Sequence, residues 1–523
     1  MIKKILSLTL AFLLLASNSF AAIKFSRFDF FNNSGGLNDA FSPASIENNE
    51  AQDLQNIVLS TYGSFATRDG YKKLNSSTLG ASITCTGLKY YAPTSGTKYL
   101  VGIFDDDKIY KMDYQVGGGP DGTWDDITGT ASFLIGQNNL ASFAVGEDTL
   151  LIEDGLNTTP PFKYTGSGSC SILSASAPNA TLIAYHKNMA FAGGNNTYPS
   201  TLYFSDLGDI TNWSTGISGN LSIETNDGSI IRAIIPGFDA LYIFKDYSIW
   251  RLTGNDKDSF QLQRMISGTG CRSPTAVKRI GNDFFFVDGQ GNVYIYDGAI
   301  KLRNISSKVQ GTIDNASFSR WQYVVTEQFN EDYYISFSNT SMSTHDRILL
   351  FDSYNLGWTK FVGIKANAIC VADDGVGQDM LVFGDYGGFV YKYPSGEDDA
   401  GTAISAYYTT KQFSFPELNP EKDWKVLNIY ANQKGNYNLN VELRKDFGTT
   451  GTVETMSLLG SSASLYGSAI YGTSLYGGQN LIIGRIEPNL AGNFFAIKFY
   501  NSSLDEPFEV KGYQIFVESS DRI

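Results

Sequence analysis

The chain has 523 residues, and its 39 Lys and Arg stand against 53 Asp and Glu, a formal net charge of −14. A protein that grips nucleic acid neutralises phosphates with a basic face, so this acidity argues against a DNA-binding protein, though not against a wall past which DNA slides. With 31 Tyr, 35 Phe and 53 Gly but 14 Pro, the composition favours short strands joined by glycine turns over helices or disorder. The length allows two or three domains and a large core.

Residues 1–21, MIKKILSLTLAFLLLASNSFA, have the layout of a secretory signal. Lys3 and Lys4 precede an apolar run from Ile5 to Ala16, short for a bilayer span, and Ser19 and Ala21 are small residues ahead of a cleavage point. An uncleaved apolar arm and a misassigned start are the alternatives. Residues 22–80 read as an N-terminal platform or edge segment. Within it, residues 48–56 (NNEAQDLQN) suggest a short capped helix leading into a strand at residues 57–60. A turn at Gly63 and a second strand ending near Arg68 follow.

Hairpins then recur. Residues 240–254 and 283–298 each hold an apolar strand, a tight polar turn and a second strand with alternate large residues, the signature of paired strands. Similar units occur at residues 98–114, 148–166, 182–206, 333–358 and 380–396. Seven hairpins at a spacing of ~40–50 residues have the scale of four-stranded propeller blades. The expectation is an all-β chain: a β-propeller of about six to eight blades over residues 81–400, with an additional β-sandwich-like C-terminal module over residues 401–523. Several sandwiches in a row would need Pro- or Ser-rich linkers, which this region lacks. The Asp-Gly turns at Asp288 and Asp297 are read as shaping loops.

In the C-terminal part, residues 403–413, 424–432, 438–445 and 508–517 read as strands. Residues 464–478, SLYGSAIYGTSLYGG, carry Tyr466, Tyr471 and Tyr476 five apart. An odd spacing places successive tyrosines on opposite faces of a strand, so a glycine-punctuated loop displaying aromatic tips fits better. Such a loop either docks another chain or packs on itself.

Little in the sequence suggests chemistry. His186 and His345 are far apart and supply neither a His-based zinc site nor a Ser-His-Asp triad; both read as surface or turn residues. Cys85, Cys170, Cys271 and Cys370 form no C-x-x-C pair and read as buried free thiols on strands. Asp105, Asp106 and Asp107 read as a solvated turn tip, and Asp256 and Asp258 lack the glycine of a calcium loop. Ser205, Asp206, Asp209 and Trp213 differ in spacing from the Asp-box turn of sialidase propellers. P-loop, G-x-S-x-G, H-E-x-x-H and dinucleotide fingerprints are missing. The chain is therefore expected to be no enzyme, with no catalytic, cofactor-binding or metal residues.

Several segments together carry a resemblance. They are Gly35-Gly36-Leu37-Asn38, Ser42-Pro43 near Ile46, Asn49-Glu50-Ala51-x-Asp53-Leu54-Gln55-Asn56, Arg68-x-Gly70-Tyr71, residues 202–206 (LYFSD) with Asp209 and Trp213, residues 250–254 (WRLTG) and residues 267–271 (SGTGC). In order and spacing the chain resembles the tail nozzle, or tail hub, proteins of short-tailed bacteriophages and their prophages. That resemblance implies a structural subunit of the virion tail, assembled as a homo-oligomeric ring, a hexamer by preference, below the portal and adaptor. The ring would form a DNA-exit channel without specific DNA binding, its channel face richer in acidic than basic side chains, and would dock tail fibre or spike proteins. The signal-like N-terminus departs from this pattern. It keeps open an exported propeller, periplasmic or at the cell surface, that binds glycan or another surface ligand, with hydrolysis as an option, and a membrane contact through residues 1–21 if they are retained.

Overall fold

A computed structural model describes residues 25–94, 96–115, 118–129, 135–223, 228–414, 421–459 and 481–519. The signal-like segment and the loop bearing Tyr466, Tyr471 and Tyr476 lie outside the described residues.

Among the described residues, seven antiparallel four-stranded sheets follow one another along the chain. We number them I to VII by their first strands: Cys85–Tyr91, Ser142–Gly146, Leu182–His186, Ile231–Pro236, Val277–Ile280, Val325–Phe329 and Ala368–Asp373. Each first strand touches the first strand of the next sheet, and that of sheet VII touches that of sheet I, so the seven strands close a ring. This is a β-propeller architecture. The hairpins read from the sequence hold the second and third strands of these sheets. The second strands Tyr99–Phe104 and Leu241–Lys245 are buried at every position. Neighbouring sheets cover both their faces, which is why they read as near-continuous apolar runs instead of alternating.

Ring closure is shared between the two ends of the ring's sequence. Lys72–Lys73 pairs with Val390–Tyr393 as the fourth strand of sheet VII. The backbone N–H of Leu74 adds a bond to the Val390 carbonyl at 2.8 Å.

Two larger sheets stand outside the ring, and both draw on the two ends of the chain. A seven-stranded sheet combines Phe25–Phe30, Ile57–Leu59 and Phe65–Thr67 with Lys422–Asn432, Leu481–Ile486, Leu490–Gly492 and Glu509–Ser519. A six-stranded sheet combines Gly36–Leu37 and Glu50–Gln55 with Ala406–Thr410, Asn438–Lys445, Thr452–Ser457 and Phe495–Asn501. They pack face to face through aromatic pairs, Phe65 stacked on Tyr408 with centroids 4.0 Å apart, Trp424 on Phe495 at 5.2 Å and Phe499 on Tyr513 at 5.6 Å. The chain's N-terminal strands are thus integral to these sheets.

Two expectations are corrected. Residues 50–55 form a strand, not a helix, paired with Ala406–Thr410 across a register shift between Ala51 and Asp53. The bulge lets Ala51 and Leu54, both fully buried, face the same way three residues apart, a spacing that imitates a helix. His345 is fully buried, not at the surface. Its Nδ1 lies 3.0 Å from the Ala366 carbonyl, and burial holds the imidazole pKa down at about 4. The ring is therefore neutral and Nδ1 carries the proton.

Candidate functional site

The first place where sequence-singled residues converge is the seam between the ring and the two outer sheets. Arg68 is wholly buried and clasps Asp399 with two bonds, Nη1 to Oδ1 at 2.8 Å and Nη2 to Oδ2 at 2.6 Å. Its Nε donates to Asn56 Oδ1 at 3.0 Å. That same oxygen accepts the Val362 N–H at 2.9 Å from the last strand of sheet VI, while Asn56 Nδ2 donates to the Ser405 carbonyl at 2.9 Å. Asn56 holds φ at +54°, a left-handed conformation that Asn tolerates better than most residues. Asp53 accepts from Lys360 Nζ at 3.1 Å and from the Tyr407 hydroxyl at 2.8 Å. Glu50 accepts from Asn38 Nδ2 at 2.8 Å and pairs with Lys308 at 2.7 Å. Gly70 passes so close to Asp398 that a Cβ would meet its carbonyl oxygen at 1.9 Å. Tyr71 packs edge-on against Phe383 and Tyr391. Each of these residues joins segments remote in sequence.

The acidic residues of the hairpin turns are spent on backbone. Asp288 Oδ1 accepts the N–H of Gln290 at 2.7 Å and of Asn292 at 2.9 Å. Asp297 does the same for Ala299 and Lys301, and Asp385 for Gly387 and Phe389. These two-and-four patterns are Asx turns, which makes Asp288 and Asp297 loop-shaping residues. The Asp105–Asp107 run is not a solvated tip: Asp105 accepts the Thr84 N–H at 2.5 Å, Asp106 the Tyr110 hydroxyl at 2.6 Å and Asp107 the Ile135 N–H at 2.6 Å. Asp256 is held by the Ser259 N–H at 2.9 Å. Asp206 accepts from Leu207 and Ile217 N–H groups at 3.0 and 2.9 Å, closing a structural turn. Among the described residues no three His, Cys, Asp or Glu side chains group as metal ligands. The four cysteines are free and buried; Cys85 and Cys370 lie on strands, Cys170 and Cys271 in loops.

The second place is the axis of the ring. The first strands of the sheets enclose a channel of about 420 Å³, within the range that houses small ligands. Lys278 and Glu327, on adjacent first strands, form an ion pair at 3.0 Å. Lys89 lines the same channel from sheet I. The lining hydroxyls are already committed: Thr275 donates to the Val324 carbonyl at 2.8 Å and Thr326 to the Thr275 carbonyl at 2.6 Å. Burial pushes the Cys370 thiol up to about 12, so it is protonated and a poor nucleophile. Among the described residues the channel presents no activated nucleophile and base in contact. Sequence reasoning passed over Lys89, Lys278 and Glu327. Their signal was present: Lys89 and Glu327 are each the single charge of a first strand that precedes an identified hairpin, and Lys278 shares its first strand with Arg279.

No family model matches the chain, and no curated protein does. Solved structures share part of its shape. The computationally designed Ika8 protein is 12% identical, covers 61% of this chain and 99% of its own, and has a TM-score of 0.36. YCF48 from Cyanidioschyzon merolae is 13% identical over 62% of this chain and 98% of its own, with a TM-score of 0.38. YCF48 bound to D1 peptide is 10% identical over 65% of this chain and 98% of its own, again at 0.38.

Proposed function

We propose that this chain is a structural subunit of a phage tail, a nozzle or hub protein that assembles into a homo-oligomeric ring. In this reading each four-stranded sheet is one blade of a seven-bladed propeller, and the two outer sheets form one β-sandwich module. The observation that carries the proposal is where the resembling residues sit. Glu50, Asp53, Asn56, Arg68, Gly70 and Tyr71 meet at the seam between propeller and sandwich. A motif that specifies how two units are joined suits a building block whose function is shape.

The outer sheets also offer surfaces for neighbours. Thr452–Ser457 ends the six-stranded sheet and Leu481–Ile486 ends the seven-stranded one, so each has an edge without a described partner strand. Val453 and Ile483 on these edges are 48% and 62% exposed. Unprotected apolar edges invite pairing with another chain. The ring would stand below a portal and adaptor and hold fibre or spike proteins, with DNA passing through its acidic lumen unbound.

Native mass spectrometry and electron microscopy of the purified full chain, together with N-terminal sequencing of the protein from virus particles, test this. Six-fold rings and a place in the particle are expected. A monomer at every concentration that binds a glycan array would overturn it and favour the exported binder.

A further inference from the structure

We propose that the axial channel binds a small amphiphile with one carboxylate head and an apolar body. The charges are confined to one arc. Lys278 belongs to sheet V, Glu327 to sheet VI and Lys89 to sheet I, and the first strand of sheet VII, which lies between VI and I, contributes uncharged residues. The opposite arc, from sheets II, III and IV, contributes no charged side chain to the lining and includes Ile183, Ile234 and Ile235.

Within the charged arc, Glu327 is matched by Lys278. Lys89 has no hydrogen-bond or ion-pair partner among the described residues. The wall therefore carries one uncompensated positive charge facing an apolar wall. A cation would meet that charge, and a neutral polar solute would find the lining hydroxyls engaged. An ion with a single negative charge satisfies Lys89, and its hydrocarbon body covers the isoleucines. The inference does not depend on ring assembly, since the channel lies inside one subunit.

Isothermal titration calorimetry of the full chain with decanoate, decanol and decyltrimethylammonium tests it. Decanoate should bind about ten- to a hundredfold tighter than decanol, the range of one charge-assisted hydrogen bond, and decyltrimethylammonium should not bind. Lys89→Met should reduce decanoate to the level of decanol, leaving decanol and the thermal unfolding midpoint unchanged. Ile235→Trp, which fills the channel from its half-buried lining position, should abolish both. Absence of decanoate binding, equal affinity for decanol, or a charge preference that survives Lys89→Met would overturn the assignment.

Discussion

Arg68 shows how much one residue can hold. Its guanidinium has 0% exposed side-chain surface and answers to Asp399 and Asn56 together. Removing one partner of a buried pair leaves the other charge uncompensated and costs about 3–5 kcal/mol. Arg68→Met should lower the unfolding free energy measured in urea by that amount, and Arg68→Met with Asp399→Asn should recover part of it, since no lone charge remains. A single variant that unfolds like wild type would show that the seam is held elsewhere. Titration adds a second residue-scale effect. Burial, reinforced by Asp352, raises Asp332 from 3.8 to about 7. The folded state then binds the proton more tightly than the unfolded one. This contribution is complete below the unfolded pKa and is lost as pH rises from 3.8 through about 7. His345 has the opposite sign. Its pKa falls from 6.5 to about 4, so its contribution is present above 6.5 and is lost as pH falls toward 4. Asp332→Asn should flatten the fall in stability on the alkaline side, and His345→Asn, which keeps a donor for Ala366, should move acid unfolding to lower pH. Chemical denaturation from pH 4 to 8 measures both.

Among the elements, the closing strand is short. Lys72–Lys73 contributes two paired residues to sheet VII, helped by the Leu74 N–H. Leu74→Pro removes that donor and should cost about 1–3 kcal/mol, with faster amide exchange over Val390–Tyr393 and little change in sheet III. Equal protection throughout would mean that the ring closes without this strand. Legibility in the sequence followed locality. Phe284, Phe285, Phe286 and Val287, then the Asp288 turn, then Val293 and Ile295, announced a hairpin because its contacts lie within a dozen residues. Glu50–Gln55 misled because its partner, Ala406–Thr410, lies some 350 residues away in the chain and the bulge at Ala51 disguises its period. The sharing of the outer sheets between both chain ends was hidden for the same reason. Lys89 was visible as an isolated charge and Lys278 beside Arg279, but only ring closure brings their strands to one axis.

At the scale of the whole molecule, the proposed ring assembly would rest on charge and strand edges. Val453→Lys with Ile483→Lys places like charges on the exposed strand edges, a device that natural edge strands use against pairing. The pair should leave the subunit folded and reduce rings to monomers by native mass spectrometry; intact rings would move the interface elsewhere. In the assembled ring, acidic side chains should outnumber basic ones on the lumen, and a cryo-EM reconstruction with a basic lumen would contradict the conduit.

The clasp between Arg68 and Asp399 also sets a schedule. The two residues are 331 positions apart, so a ribosome moving at about 5–20 residues per second exposes Arg68 roughly 17–66 s before it adds Asp399. Through that interval the strands Ile57–Leu59 and Phe65–Thr67 can pair only with each other, while the sheets of the ring can form one by one behind them. The first strands made are therefore among the last to find their places. A pulse-chase with limited proteolysis should find the region around Arg68 cleavable in nascent chains and protected soon after release.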